Sequence, residues 1–184
     1  DRKGKVFHFA DCTPNILEIK VLLLTLTKKV LVKAAPFLDI RLAAEQLGDV
    51  SAIWVLEFDG DCREVVYLLE KEAPPLNEIP IRAVTLDATG SGVRTFESTF
   101  EMEHAAEVSY SLPLNYLYEP SPAVMKTGAF KSFAQQFGLF KLHPNTQLYT
   151  SASWIPDLPA RSFRIEAVGK YDKKAVEKLI PGKQ

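Results

Sequence analysis

The hydrophobic pattern of residues 28–58, KKVLVKAAPFLDIRLAAEQLGDVSAIWVLEF, changes its period twice. Val30, Leu31 and Val32 form a continuous apolar run, which suits a short strand buried in a parallel sheet. Pro36 stops it. Asp39 can cap a helix that buries Ile40, Ala43, Ala44 and Leu47 and ends at Gly48. Residues 52–58 and 62–69 read as strands joined by an Asp59-Gly60 turn, a β-hairpin. Upstream, residues 6–9 read as extended, and Thr13 and Pro14 as the N-cap and first position of a helix. Ile16, Ile19, Leu23 and Leu26 fall near one face of that helix. With Leu22 and Leu24 also apolar, it is expected to be covered over much of its circumference. The series helix, strand, helix, strand, strand is α/β, with parallel strands joined by right-handed crossovers and one antiparallel strand at the end.

Ala73-Pro74-Pro75 reads as a linker, and residues 81–87 and 93–100 as a second hairpin across residues 88–92. In the last third, Ser121 and Pro122 form an N-cap and first-turn pair, Phe130, Phe133 and Phe137 line one helix face, and Gly138 ends the helix. Residues 147–151 and 162–168 read as strands, and Asp172-Lys173-Lys174 opens a final helix. This pattern divides the chain into an α/β part at 1–73, a linker and hairpin at 74–114, which would be a small ferredoxin-like or inserted module, and an α+β module at 115–184. It contains no internal repeat.

The 184 residues are 47% hydrophobic and 24% charged, which is globular composition. No run of about 18 uncharged apolar residues occurs, and the charged start leads into no signal-like segment, so the expectation is a cytoplasmic chain with no membrane partner. The first residue, Asp1, suggests a fragment or a processed chain. Cys12 and Cys62 have no CxxC neighbour, so reduced structural thiols are expected. The near-neutral total hides an asymmetry: residues 1–114 hold twelve Lys and Arg against eighteen Asp and Glu, and residues 115–184 hold ten against five. The basic part is the better candidate for a phosphate-bearing partner.

Candidate chemistry is sparse. A nucleotide-binding sheet carries a Gly-rich strand-to-helix turn and an acidic residue about 20 positions later. Gly90-Ser91-Gly92 lies between hairpin strands and reads as a flexible turn. His8, His104 and His143 are far apart, and His104 stands among Glu101, Glu103 and Glu107 on what reads as a solvated acidic face, so no metal site is expected. Beyond the carboxyl end of the first strand, Lys33, Pro36 and Asp39 form a candidate substrate pocket. Lys33 either faces a substrate phosphate there or pairs with Asp39 to order the turn. In the basic module, Lys126, Lys131, Lys141, His143, Asn145, Tyr149, Arg161 and Arg164 combine cations, amides and a ring, a mixture that suits RNA.

DCTPNI, VLVKAAPFLDI, GDCREVVYLL and YLYEPSPAVMKTGAFKSFAQQFGLFKLHPNTQLYTS together resemble the second half of a bacterial class I S-adenosylmethionine-dependent methyltransferase with a THUMP-like C-terminal domain. The resemblance runs in order over nearly the whole chain, and residues 116–151 are its most distinctive part. It implies that the first part is the carboxyl-terminal portion of a Rossmann-like methyltransferase sheet, from the fifth strand onward, with residues 52–69 as its closing antiparallel pair. It also implies that the Gly-rich cofactor loop, its acidic ribose partner and an Asp-Pro-type motif precede Asp1, and that the THUMP-like module continues past KLIPGKQ. The full-length protein would use S-adenosylmethionine, while this chain alone would bind no cofactor and be inactive. RNA is the implied substrate class, handled by residues 115–184. The alternatives are a non-catalytic RNA-binding or scaffolding protein, and a methyltransferase for a non-RNA substrate that uses the module for docking. Without its neighbour, the strand at 30–32 would leave an apolar sheet edge, and self-association or an altered N-terminal arrangement is expected.

Overall fold

The computed structural model describes residues 9–87, 89 and 92–169. Of the extended piece expected at 6–9, Phe9 alone is described, and it opens a short 3-10 helix (Phe9–Asp11) in place of a strand; residues 6–8 and the helix expected from Asp172 lie outside the described residues. The first part comprises α1 (Ile16–Leu26), β1 (Val30–Ala34), α2 (Ile40–Leu47), β2 (Val50–Phe58), β3 (Asp61–Leu69), β4 (Ile81–Leu86), β5 (Val93–Ser98) and α3 (Phe100–Ala105). The second comprises β6 (Tyr116–Pro120), α4 (Pro122–Thr127), α5 (Phe130–Phe137), β7 (Phe140–Lys141), β8 (Tyr149–Ser151) and β9 (Ala160–Arg164). The strands form two sheets, ordered β1-β3-β2-β4-β5 and β7-β8-β6-β9, in a mixed α/β architecture.

The first sheet departs from the expected order at one strand. β3 does not close the end; it lies between β1 and β2, antiparallel to both, so β1 and β2 run the same way without touching. Two features of the sequence allow this. The Asp59-Gly60 turn, with both residues at positive φ, returns β3 directly beside β2. Val65, Tyr67 and Leu69 then alternate into the core while their backbones pair on both sides. The other side of β2 takes β4 in parallel, so the 81–98 hairpin extends this sheet and does not stand alone. β1 is therefore an edge strand, not the buried parallel strand that its apolar run suggested.

Capping explains the helix boundaries. Asn15, not Thr13, caps α1, accepting from Leu17 N at 3.1 Å. Only Leu24 of α1 is buried; Val21, Leu22 and Leu26 are at least 60% exposed, so the expected cover is missing on this side. Asp39 caps α2 through Leu42 N at 2.8 Å, and Gly48 ends it, as its sequence signals require. Ser121 and Pro122 start α4 as expected, but Gly128, at φ 73°, breaks the expected long helix into α4 and α5. A left-handed residue cannot continue an α-helix without strain unless it is glycine, and even then the hydrogen-bond ladder stops.

One core joins the two parts. α4 packs across β2, β3 and β4, and α5 packs on β5. Phe133 of α5 meets Phe96 of β5 at 5.3 Å between ring centroids and Tyr149 of β8 at 5.4 Å, each edge to face. This column runs from the first sheet to the second, and all three rings are wholly or almost wholly buried. The opposite face of the first sheet, including Trp54, Leu56, Val66, Leu68 and Val84, is only half-covered.

Candidate functional site

Because β1, β2 and β4 share one direction, their carboxyl ends share one edge of the first sheet. Open α/β sheets bind ligands beyond that edge. Three segments meet there: the 35–39 turn, the Asp59-Gly60 turn, and the β6–α4 corner that packs over them.

The candidate pocket residues of the 35–39 region are engaged with the fold. Lys33 pairs across the strand with Glu64 at 2.7 Å, and not with Asp39. The register places Lys33 opposite Val66, so its side chain lies along β3 on the half-covered face. Asp39 is used as the α2 cap. Pro36 is half-buried, and Phe37 beside it is exposed. Lys126, expected at an RNA surface, instead reaches from α4 to donate to the Leu38 carbonyl at 2.6 Å, fixing this turn to the second part.

The polar centre of the edge is Glu57, which is 4% exposed. Its Oε2 accepts from Thr85 Oγ1 at 3.2 Å and from Ala123 N at 3.0 Å. Thr85 Oγ1 also lies 2.9 Å from Ser121 Oγ. A hydroxyl has one proton, and that of Thr85 goes to Glu57, so Ser121 must donate to Thr85. The network ties β2 and β4 to the first turn of α4. Cys62 stands beside it, its thiol pushed up chiefly by burial; the Lys126 charge opposes this shift and Glu57 adds to it. Cys62 and Cys12 form no disulfide.

Sequence reasoning missed Glu57, although the signal was present. Ile53, Val55 and Glu57 share one face at period two, which puts a carboxylate on the core side of β2. Thr85 follows Ile81 and Ala83 in the same way.

The eight residues expected at an RNA surface do not form one open patch. Tyr149 is wholly buried, so its ring has no face for a base to stack on. Lys141 is 5% exposed and donates to Pro144 O at 3.2 Å. Lys131 donates to His104 O at 3.2 Å. Arg161 pairs with Glu119, and Arg164 with Glu166 at 3.6 Å, both pairs being exposed. His143 and Asn145 share an exposed turn, with Asn145 N donating to His143 Nδ1 at 3.1 Å. His104 lies elsewhere, at the end of α3. Among the described residues no three His, Cys, Asp or Glu side chains gather as metal ligands, and no helix is long and apolar enough to cross a membrane.

Likeness to known proteins falls on the same two parts. Residues 116–159 match a ferredoxin-like domain family. A crystal structure from Porphyromonas gingivalis W83, described as a "putative methyltransferase", is similar to this chain with a TM-score of 0.88 and 31% sequence identity. The match covers 96% of this chain and 45% of that one, so the chain spans less than half the length of the protein it resembles. No curated protein matches. The likeness supports a relation to methyltransferases.

Proposed function

We propose that this chain is the carboxyl-terminal part of an S-adenosylmethionine-dependent methyltransferase. It would supply the closing strands of the catalytic sheet and a THUMP-like docking module for an RNA substrate. The observation that carries this reading is the seating of antiparallel β3 between the co-directional strands β1 and β2. This seating leaves the far edge of β1 open among the described residues, and the earlier strands of a Rossmann-like methyltransferase sheet would pair there. The likeness to the Porphyromonas gingivalis protein supports the same assignment.

The described residues do not fit the cofactor itself. The strand-to-helix turn after β1, residues 35–39, contains no glycine, and its acidic residue already caps α2; the turn after β5 is the single residue Thr99, which caps α3. A nucleotide needs close backbone approach and a free carboxylate for the ribose. No step through the cofactor is therefore assigned to this chain, whose own part is to position the substrate.

Transfer of labelled methyl groups from S-adenosylmethionine to small RNAs, measured on a longer polypeptide that includes this chain, tests the activity. Methylated RNA is expected; a protein that binds RNA but transfers no methyl group would overturn the enzymatic reading in favour of a scaffold. The substrate class is tested separately on this chain by fluorescence anisotropy across a salt series. Affinity should fall with salt, and fall again in Arg161→Glu and Arg164→Glu, which leave the internally bonded Lys126, Lys131 and Lys141 intact. A second reading, docking of a non-RNA substrate, is favoured by the internal engagement of Lys126, Lys131, Lys141 and Tyr149. It predicts no salt-sensitive RNA binding and methyl transfer that ignores added RNA.

A further inference from the structure

The carboxyl edge of the first sheet and the second part enclose a cavity of about 310 Å³, between the β2–β3 turn, β4, the β6–α4 corner and β9. This is the lower end of the size range of small-molecule sites. Its apolar wall includes Pro120, Pro122 and Met125, and its polar lining is Glu57, Thr85, Ser121, Arg94, Glu119 and Arg161. The cavity has chemically distinct sides.

The deep side only accepts hydrogen bonds. Both hydroxyl protons there are used, Ser121 donating to Thr85 and Thr85 to Glu57. Glu57 Oε2 holds Thr85 and Ala123, while Oε1 receives no hydrogen bond from any described residue. Among the described residues the fully buried side-chain atom without a partner is the Tyr67 hydroxyl, so Oε1 is open to the cavity, where an N–H group can meet it. The other side carries guanidinium groups. Arg94 Nη1 holds the Leu158 and Ala160 carbonyls at 3.1 and 3.4 Å, and the rest of its donor fork is not hydrogen-bonded to described residues. Arg161 stands at the mouth, paired with the exposed Glu119. A guanidinium fork prefers an anionic oxygen.

We propose that this cavity is a ligand site for a small molecule that carries an amino group at one end and an anionic group at the other, the amino group meeting Glu57 Oε1 and the anion the arginines. Both a mononucleotide with an exocyclic amine and a free amino acid have this chemistry. Carboxylates accept from the cytosine N4 amine in this way. The site is independent of the methyl-transfer reading.

The test is calorimetric titration of the 184-residue chain with cytidine monophosphate, uridine monophosphate and L-alanine, each up to about 10 mM. Cytidine monophosphate should bind about tenfold more tightly than the uridine form, the effect of one hydrogen bond to a charged group. Saturable binding of alanine alone would assign the site to amino acids. Glu57→Gln keeps an oxygen for Thr85 and Ala123 and turns an amide N–H toward the cavity, so the preference should reverse toward the uridine carbonyl. Arg161→Ala should weaken both nucleotides and leave their ratio unchanged. The proposal is overturned by no saturable binding of any probe, or by an unchanged preference in a Glu57→Gln protein that melts as cooperatively as the unaltered chain.

Discussion

Glu103 caps α5 from another helix: its Oε2 accepts from Ser132 N at 2.8 Å and from Ser132 Oγ at 2.9 Å. It also accepts from Lys131 N, at 3.0 Å through Oε1 and 2.9 Å through Oε2. The residue in the N-cap position, Ala129, has no side chain that can do this. A helix whose first N–H groups lack local partners needs them from elsewhere, and α3 exists in the position that provides them. Glu103→Ala should lower stability by about 1–3 kcal/mol, the range for stranding partly buried donors. Glu103→Gln should lose less, because an amide oxygen still accepts. Urea denaturation of both variants measures the difference, and equal losses would count against a capping role.

The aromatic column Phe96, Phe133 and Tyr149 makes a further claim, that the two parts unfold together. Trp54 lies in β2, and Trp154 packs on Tyr116 at 5.5 Å beside the second sheet, so each part contains a natural reporter. The single-tryptophan variants Trp54→Phe and Trp154→Phe should show the same denaturation midpoint apart from the shift each substitution causes. Phe133→Ala should lower both midpoints together, by about 3–5 kcal/mol in stability. Two separated transitions would mean that the shared core is not what holds the parts together.

Local signals in the sequence placed most of these elements, and nonlocal ones did not. Asp39, Gly48, the Asp59-Gly60 turn, Ser121 and Pro122 act within a few residues of themselves, so their effects were legible. The position of β3 between β1 and β2 was not, because an alternating strand looks the same whether one or both of its edges are paired. Of the candidate site residues, charge alone suggested Lys126, Lys131 and Lys141 as surface cations. Each instead donates to a backbone carbonyl brought near by the fold, those of Leu38, His104 and Pro144. Glu57 was legible from its period and was missed because a charge on a strand is usually read as its solvent face.

The two most perturbed tyrosines should respond oppositely to loss of their hydroxyls. Tyr149 donates to the Phe130 carbonyl at 3.0 Å, whereas the buried hydroxyl of Tyr67 has no hydrogen-bond partner among the described residues. Tyr149→Phe should therefore lose about 1 kcal/mol, and Tyr67→Phe should be neutral or gain a similar amount. Both phenols are pushed up, first by burial and then by Asp39 at Tyr67 and Glu103 at Tyr149. Above the ordinary tyrosine range the folded state then holds protons that the unfolded state has released, so stability must fall as pH rises. Lys141 contributes with the opposite sign: burial lowers its value, a neighbouring Glu103 partly restores it, and the strain of its buried charge is relieved on deprotonation. With two phenols against one amine, net loss is expected in alkali. Phenolate absorbance should show that at least two of the six tyrosines ionise only with unfolding; titration of all six in the folded chain would overturn this.

The free edge of β1 makes self-association the expected behaviour of this chain in isolation. Among the described residues β1 pairs only with β3, so one row of its backbone donors and acceptors is open. Leu31 of β1 is exposed on the half-covered face, and Val21, Leu22 and Leu26 of α1 are exposed as well. An apolar strand with an open row of hydrogen bonds is a template for another strand. Lys33, the natural obstacle on this strand, is engaged with Glu64 and so less effective in repelling a partner. Sedimentation equilibrium over a concentration series should show reversible association, and Leu31→Lys should shift it toward monomer without lowering the melting temperature, since the residue it replaces is exposed. The unaltered chain remaining monomeric at the highest concentration reached would mean that the edge is protected by something other than a second copy.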